Sequence, residues 1–162
     1  MTVRKWFESI TSEATEIIEK QVGDIFELTL FFQGGIVCGC STDFQYPSDV
    51  VEYQPNSGIG NSALFADNVI GLIQGKAGSM NVSSANDSSN PVTAINETWM
   101  AKFQFKCVKE YNNFVEFKIT AGEMRDPQGN LISGVITENS KEISAITQPM
   151  TYVYKLKLKV TS

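Results

Sequence analysis

The sequence predicts an all-β domain, a two-layer antiparallel β-sandwich or jelly roll with little helix. Three observations carry this. The dominant hydrophobic period is two over several long stretches, the pattern of sheets with one wet face. Turn-forming clusters punctuate those stretches at short intervals. No repeat of 20 to 50 residues and no linker divides the chain, so the strands share one core.

Taken in order, residues 1–13 read as a helical or loose leader, and the sandwich is expected over 14–162. In "SEATEIIEK" the start Ser12-x-x-Thr15 lacks a full capping box and Ile17 and Ile18 are adjacent, which suits either a short helix or a β-branched strand. The reading favours a strand from about Ala14. "DIFELTLFF" places Phe26, Leu28, Leu30 and Phe32 on one face and Glu27 and Thr29 on the other. Gly34-Gly35 turns the chain. "CGCSTDFQYPSDVVEY" reads as a strand with Cys40, Thr42, Phe44 and Tyr46 inward, closed by Tyr46-Pro47-Ser48-Asp49. Residues 54–58 form a Pro-Asn-Ser-Gly loop, and "SSANDSSNP" leaves a strand for a polar loop. "ETWMAKFQFKCVK" alternates strictly, which puts Trp99, Ala101, Phe103, Phe105 and Cys107 in the core and Met100, Lys102, Gln104 and Lys106 outside. "NFVEFKIT" buries Val115, Phe117 and Ile119. Asp126-Pro127-Gln128-Gly129-Asn130 is a turn. The closing "MTYVYKLKLKV" directs Tyr152, Tyr154, Leu156, Leu158 and Val160 inward and three lysines outward.

Composition narrows the function. With 162 residues, 19% charged and 10% aromatic, the chain fits one folded domain. A net charge of −5 argues against a nucleic-acid partner. No apolar run approaches the roughly 20 residues of a membrane span, and the first residues show no signal-peptide pattern. Histidine is absent. That removes the usual general base, the usual metal ligand and every Ser-His or Cys-His pair.

The remaining candidates for chemistry are weak. Three cysteines are too few for a zinc site without histidine. Cys40 and Cys107 share parity with core residues, so buried thiols are the expectation. A disulfide from Cys107 to Cys38 or Cys40, or a functional thiol, is the alternative. The 18 acidic residues show no spacing that singles out a catalytic pair. "RDPQGN" lacks the full pattern of a calcium loop. Carbohydrate binding would need an exposed aromatic strip. Here Trp99 has core parity, Trp6 lies in the leader, and Phe31 and Phe114 belong to different strands. No enzyme activity and no metal or cofactor is expected.

The order of motifs resembles that of cohesin modules over about residues 14–160. "VGDIFELTLFF" resembles their second strand, "CSTDFQYPSDVVEY" their third, "GKAGSMNVSSAND" their fifth and "WMAKFQFKCV" their sixth. "DPQGNLI" resembles the turn near the eighth strand and "YVYKLKLKV" the closing strand. Tyr46-Pro47-Ser48 departs from the family's Y-D-P triplet, which makes this a divergent member. The resemblance implies a jelly roll of about nine strands. It implies a function of binding the dockerin of an enzyme or scaffold protein, within a secreted or cell-surface bacterial complex such as a cellulosome scaffoldin for polysaccharide degradation. It puts calcium in the dockerin partner only and expects this chain to be monomeric alone. The docking sheet would comprise strands 8, 3, 6 and 5. It would present Ser41, Asp43 and Gln45, then Asn81, Ser83, Ala85, Asn86 and Asp87, then Met100, Lys102 and Gln104, with Leu131 and Ser133 at its margin. The competing readings are a carbohydrate-binding jelly roll and an immunoglobulin-like spacer or adhesin domain.

Overall fold

The computed structural model describes residues 4–9, 17–33, 35–94, 98–132 and 153–162. These form thirteen strands: β1 (Arg4–Ser9), β2 (Ile17–Gln21), β3 (Ile25–Gln33), β4 (Gly35–Val37), β5 (Gly39–Gln45), β6 (Val51–Tyr53), β7 (Ile59–Gly60), β8 (Asp67–Leu72), β9 (Ser79–Ala85), β10 (Val92–Ala94), β11 (Thr98–Cys107), β12 (Tyr111–Arg125) and β13 (Val153–Thr161). No helix occurs among the described residues. Nine strands have five residues or more, and the other four are pieces of two or three residues. The expected count of about nine therefore matches the long strands.

Two sheets build the sandwich. One runs β1-β3-β11-β6, with β7 also against β11. The other runs β2-β13-β12-β5-β9-β8, and β4 and β10 pair separately. Every pairing between these strands is antiparallel except β2 with β13. One call about the leader changes. Residues 4–9, expected to be helical or loose, are edge strand β1, registered along β3 from Arg4 opposite Gln33 to Ser9 opposite Leu28. The strand expected from about Ala14 is β2, which begins at Ile17; residues 10–16 lie outside the described residues.

The core forms where the alternation of the two sheets meets. Phe26, Leu28, Leu30 and Phe32 of β3 and Phe103 and Phe105 of β11 are buried, as are Phe44 of β5 and Val115, Phe117 and Ile119 of β12. The rings pack at their edges: Phe105 lies 5.2 Å from Phe117 and 5.0 Å from Tyr46, and Phe44 lies 5.5 Å from Phe103. Tilted and edge-to-face contacts of this kind add to the burial of large apolar surfaces. Leu158 and Val160 close the core from β13 as expected, while the side chains of Tyr152, Tyr154 and Leu156 lie outside the described residues.

The parity of β11 does not follow strict alternation throughout. The pairing with β3 shifts register between Trp99 and Ala101. One extra residue in a strand reverses the facing of everything before it. Met100, expected to face solvent, is fully buried, and Trp99, expected in the core, is only half-buried. Beyond the bulge the alternation is as read, with Phe103, Phe105 and Cys107 inside.

The three cysteines are buried, and no disulfide joins them. Burial pushes the Cys38 and Cys107 thiols above their ordinary value. The core-thiol reading holds, and the disulfide alternative does not.

Candidate docking face

The outer face of the larger sheet is set by the register of four adjacent strands, β12, β5, β9 and β8. Glu123, Ser41, Ser83 and Val69 stand in one cross-strand row. Ala121, Asp43, Asn81 and Gly71 form the next, and Arg125, Gly39, Ala85 and Asp67 the third. Period-two alternation explains why small and polar side chains collect here: their neighbours Thr42, Phe44, Met80 and Val82 take the core side.

A hydrogen-bonded set ties β5 to β9 across this face. Asn81 Nδ2 donates to Asp43 Oδ1 at 2.5 Å and lies 3.4 Å from Ser41 Oγ. Ser83 Oγ donates to Asn81 Oδ1 at 2.9 Å and lies 3.3 Å from Ser41 Oγ. These four side chains are half-buried, so the set is held in one arrangement while still meeting solvent. Beside it, Ser41, Asp43, Ala121, Gly122 and Glu123 line a shallow depression of about 300 Å³. Its two carboxylates come from neighbouring strands. Glu123 is held by Arg125, whose guanidinium lies 3.3 Å from Glu123 Oε2.

The structure brings together Ser41, Asp43, Gln45, Asn81, Ser83 and Ala85, as the sequence suggested. Asn86 and Asp87 follow at the end of β9, but they serve the fold. Asn86 Oδ1 accepts from Ala66 N at 2.6 Å and its Nδ2 donates to Leu64 O, which pins the loop before β8. Asp87 accepts from the Ser89 hydroxyl and from Ser89 N, and these bonds hold its carboxyl below the usual range. Leu131 is 56% exposed and bridges to Arg125 at the end of β12. Ser133 lies outside the described residues.

Met100, Lys102 and Gln104 do not belong to this face. Their strand, β11, pairs with β3 and β6 in the opposite sheet. Met100 is in the core, and Lys102 and Gln104 line the far side of the molecule. The assignment slipped by one strand because β8 was not recognised. The neighbours of β5 are β12 and β9, and β8 lies beyond β9. "DNVIGL" shows no alternation because it is an edge strand, with Val69 68% and Leu72 52% exposed. Val69 and Ile70, both β-branched, were the available signal. Ala121, Glu123 and Arg125 were missed for another reason. A register shift between Ile119 and Ala121 breaks the period that "NFVEFKIT" establishes.

No protein-family model and no curated protein matches the sequence. Solved structures do. The cohesin module of a family 33 glycoside hydrolase from Clostridium perfringens superposes with a TM-score of 0.63 at 13% identity, covering 99% of both chains. A type I cohesin–dockerin complex from Clostridium thermocellum gives 0.65 at 12%, covering 98% of this chain and 94% of that one. The chain has the cohesin fold. A non-cellulosomal cohesin from the archaeon Archaeoglobus fulgidus matches too, with 0.58 at 13% over 99% and 91% of the chains. This cohesin-fold chain thus keeps the architecture at sequence identities too low to carry individual side chains across. Its β12-β5-β9-β8 face has to be judged on its own residues.

Proposed function

We propose that this chain is a non-catalytic docking module that binds a dockerin through the β12-β5-β9-β8 face. The carrying observation is the rigid polar set Ser41, Asp43, Asn81 and Ser83 at the centre of that face, within a fold shared with solved cohesin–dockerin complexes. A partner helix can approach closely over such small side chains. A sheet already fixed by its own hydrogen bonds loses little freedom on binding. Val69 and Leu131 supply apolar contact at the margins. The carboxylates of Asp43 and Glu123 suit a partner hydroxyl or cation in the depression between them.

On this reading the chain acts outside the cell, as a monomer, and recruits a dockerin-bearing enzyme or scaffold protein into a larger assembly. Calcium belongs to the dockerin, and this chain needs no cofactor.

The test is capture of calcium-loaded dockerins by the purified chain. Binding is expected to one of a panel and to be lost on adding EDTA, while the melting temperature of this chain stays unchanged. Asp43→Ala removes a charge-assisted acceptor and should weaken binding by about ten- to a hundredfold. Ser83→Trp should block the face. Lys102→Ala, on the opposite sheet, should leave binding intact. Equal losses from Lys102→Ala and Asp43→Ala, or no capture of any dockerin, would sink the proposal.

A further inference from the structure

The charge of Asp43 orders the hydrogen bonds at the centre of the docking face. An ionised carboxylate only accepts, so the Asn81 amide turns its nitrogen to Asp43 and its oxygen to Ser83. Ser83 Oγ, 2.9 Å from that oxygen, is then the donor. Its one hydrogen is engaged there, so across the 3.3 Å between the two hydroxyls the donor is Ser41. The second amide hydrogen of Asn81 goes to Ser41 Oγ at 3.4 Å. Ser41, Ser83 and Asn81 thus close a ring of hydrogen bonds that all run in one direction, with a branch ending on Asp43. Bonds arranged head to tail polarise one another, which holds the ring in that order.

The ring makes an unequal offer to anything that docks. Both amide hydrogens and both hydroxyl hydrogens are engaged within the set. β5 and β9 lie inside the sheet, so ladder bonds occupy their main chains. Ala121 and Gly71, which flank Asp43 and Asn81 in their row, carry no polar side chain. Arg125 directs its guanidinium to Glu123 and to Gly129 O. What the centre presents to a partner is the acceptor capacity of Asp43. We propose that Asn81 is the positioning residue of this face. Through the ring it fixes the Asp43 carboxylate and makes the centre an acceptor-only patch. Such a patch selects a partner segment that brings hydroxyl, amide or cationic donors, and it rejects one that brings a carboxylate. This rests on the docking reading above and states what the partner must carry.

The probe is a calcium-loaded dockerin captured by the whole chain. Asn81→Asp replaces the donor to Asp43 with a second carboxylate. At pH 7 the two like charges repel and the ring loses its direction, so binding should fall roughly tenfold or more. Carboxylates this close raise the pKa of one of the pair. At pH 5.5 the pair should therefore share a proton, which restores a donor to Asp43, and most of the loss should be regained relative to the parent at the same pH. Asn81→Ala adds no titrating group and should lose a similar amount at both pH values. Binding by Asn81→Asp equal to that of the parent at pH 7, or a loss that persists unchanged at pH 5.5, overturns this inference and leaves the docking reading standing. Failure to capture any dockerin removes both. A second measurement needs neither partner nor variant fold. In NMR spectra of the free parent chain, the Asn81 side-chain amide signals should move as Asp43 titrates. Amide signals that ignore that titration equally overturn the inference.

Discussion

Single residues here divide into those that hold the fold and those that face water with something left to offer. Asn86 and Asp43 show the difference. Both are polar, both lie on or beside the docking sheet, and both were candidates from sequence. Asn86 spends its amide on Leu64 and Ala66. Asp43 receives one bond from Asn81 and presents the rest of its carboxylate to the depression. A third polar residue, Asp49 in the turn after β5, pairs at 3.1 Å with Lys109 of the connection between β11 and β12, and that contact holds its carboxyl below the usual range. Because the folded value lies below the unfolded one of about 3.9, the pair stabilises fully above that value. Its contribution disappears as pH falls through the folded value. Both partners are largely exposed, so the effect is small and screened by salt. Asp49→Asn should lower the melting temperature slightly at pH 7 and low salt, and should match the parent at pH 2 or in 1 M salt. An equal deficit at both pH values would mean that the substitution acts through something other than charge.

At the level of strands, two irregularities decide how far sequence reasoning reaches. The bulge at Met100 makes a specific prediction. Met100→Ala should cost about 2–5 kcal/mol in urea unfolding, the range for truncating a buried side chain. Strict alternation would have placed Met100 in water, where the change would stay within about 0.5 kcal/mol. The sandwich itself was legible because its long strands β3, β5 and β11 declare themselves by period, with Phe26 to Phe32 the clearest case. The inward parity of β5 was also legible, and it fixed Ser41, Asp43 and Gln45 correctly. What failed was local and cumulative. One inserted residue cannot be seen in a pattern that reads well on both sides of it, so Trp99 and Met100 were exchanged. An edge strand whose apolar residues Val69, Ile70 and Leu72 do not alternate in sequence has no period to detect, so β8 was missed and its place in the sheet was given to β11. The leader strand β1 was missed because its "RKWFES" pattern does not alternate cleanly in hydrophobicity.

For the whole molecule, the chemistry of the thiols gives an integrated check on the packing. Cys38 lies just before β5, Cys40 near its start and Cys107 at the end of β11 in the other sheet, and all are buried. A thiol reagent should modify none of them quickly in the folded protein and all three in denaturant without reductant. One reactive thiol per denatured chain would instead reveal a disulfide. The two outer faces of the sandwich also differ in kind. One is a polar platform over small side chains, and the other sets Trp99 opposite Phe31 among charged and polar residues, so the two outer surfaces are chemically unlike. The pairing of β2 with β13 bears on how this molecule is made. These are the one parallel pair among the described strands, from Ile17 beside Lys157 to Gln21 beside Thr161. They join two segments about 140 positions apart in the sequence, and β13 also covers the flank of β12. Such a closure cannot form by local zippering, because the intervening loop of chain must be ordered first. During synthesis, β3 and β11 can associate while the ribosome is still working. The larger sheet must wait with one edge of β12 open until β13 has emerged. The protein therefore completes its fold only once β13 is available, and until then β12 stands as an exposed edge for whatever strand arrives first.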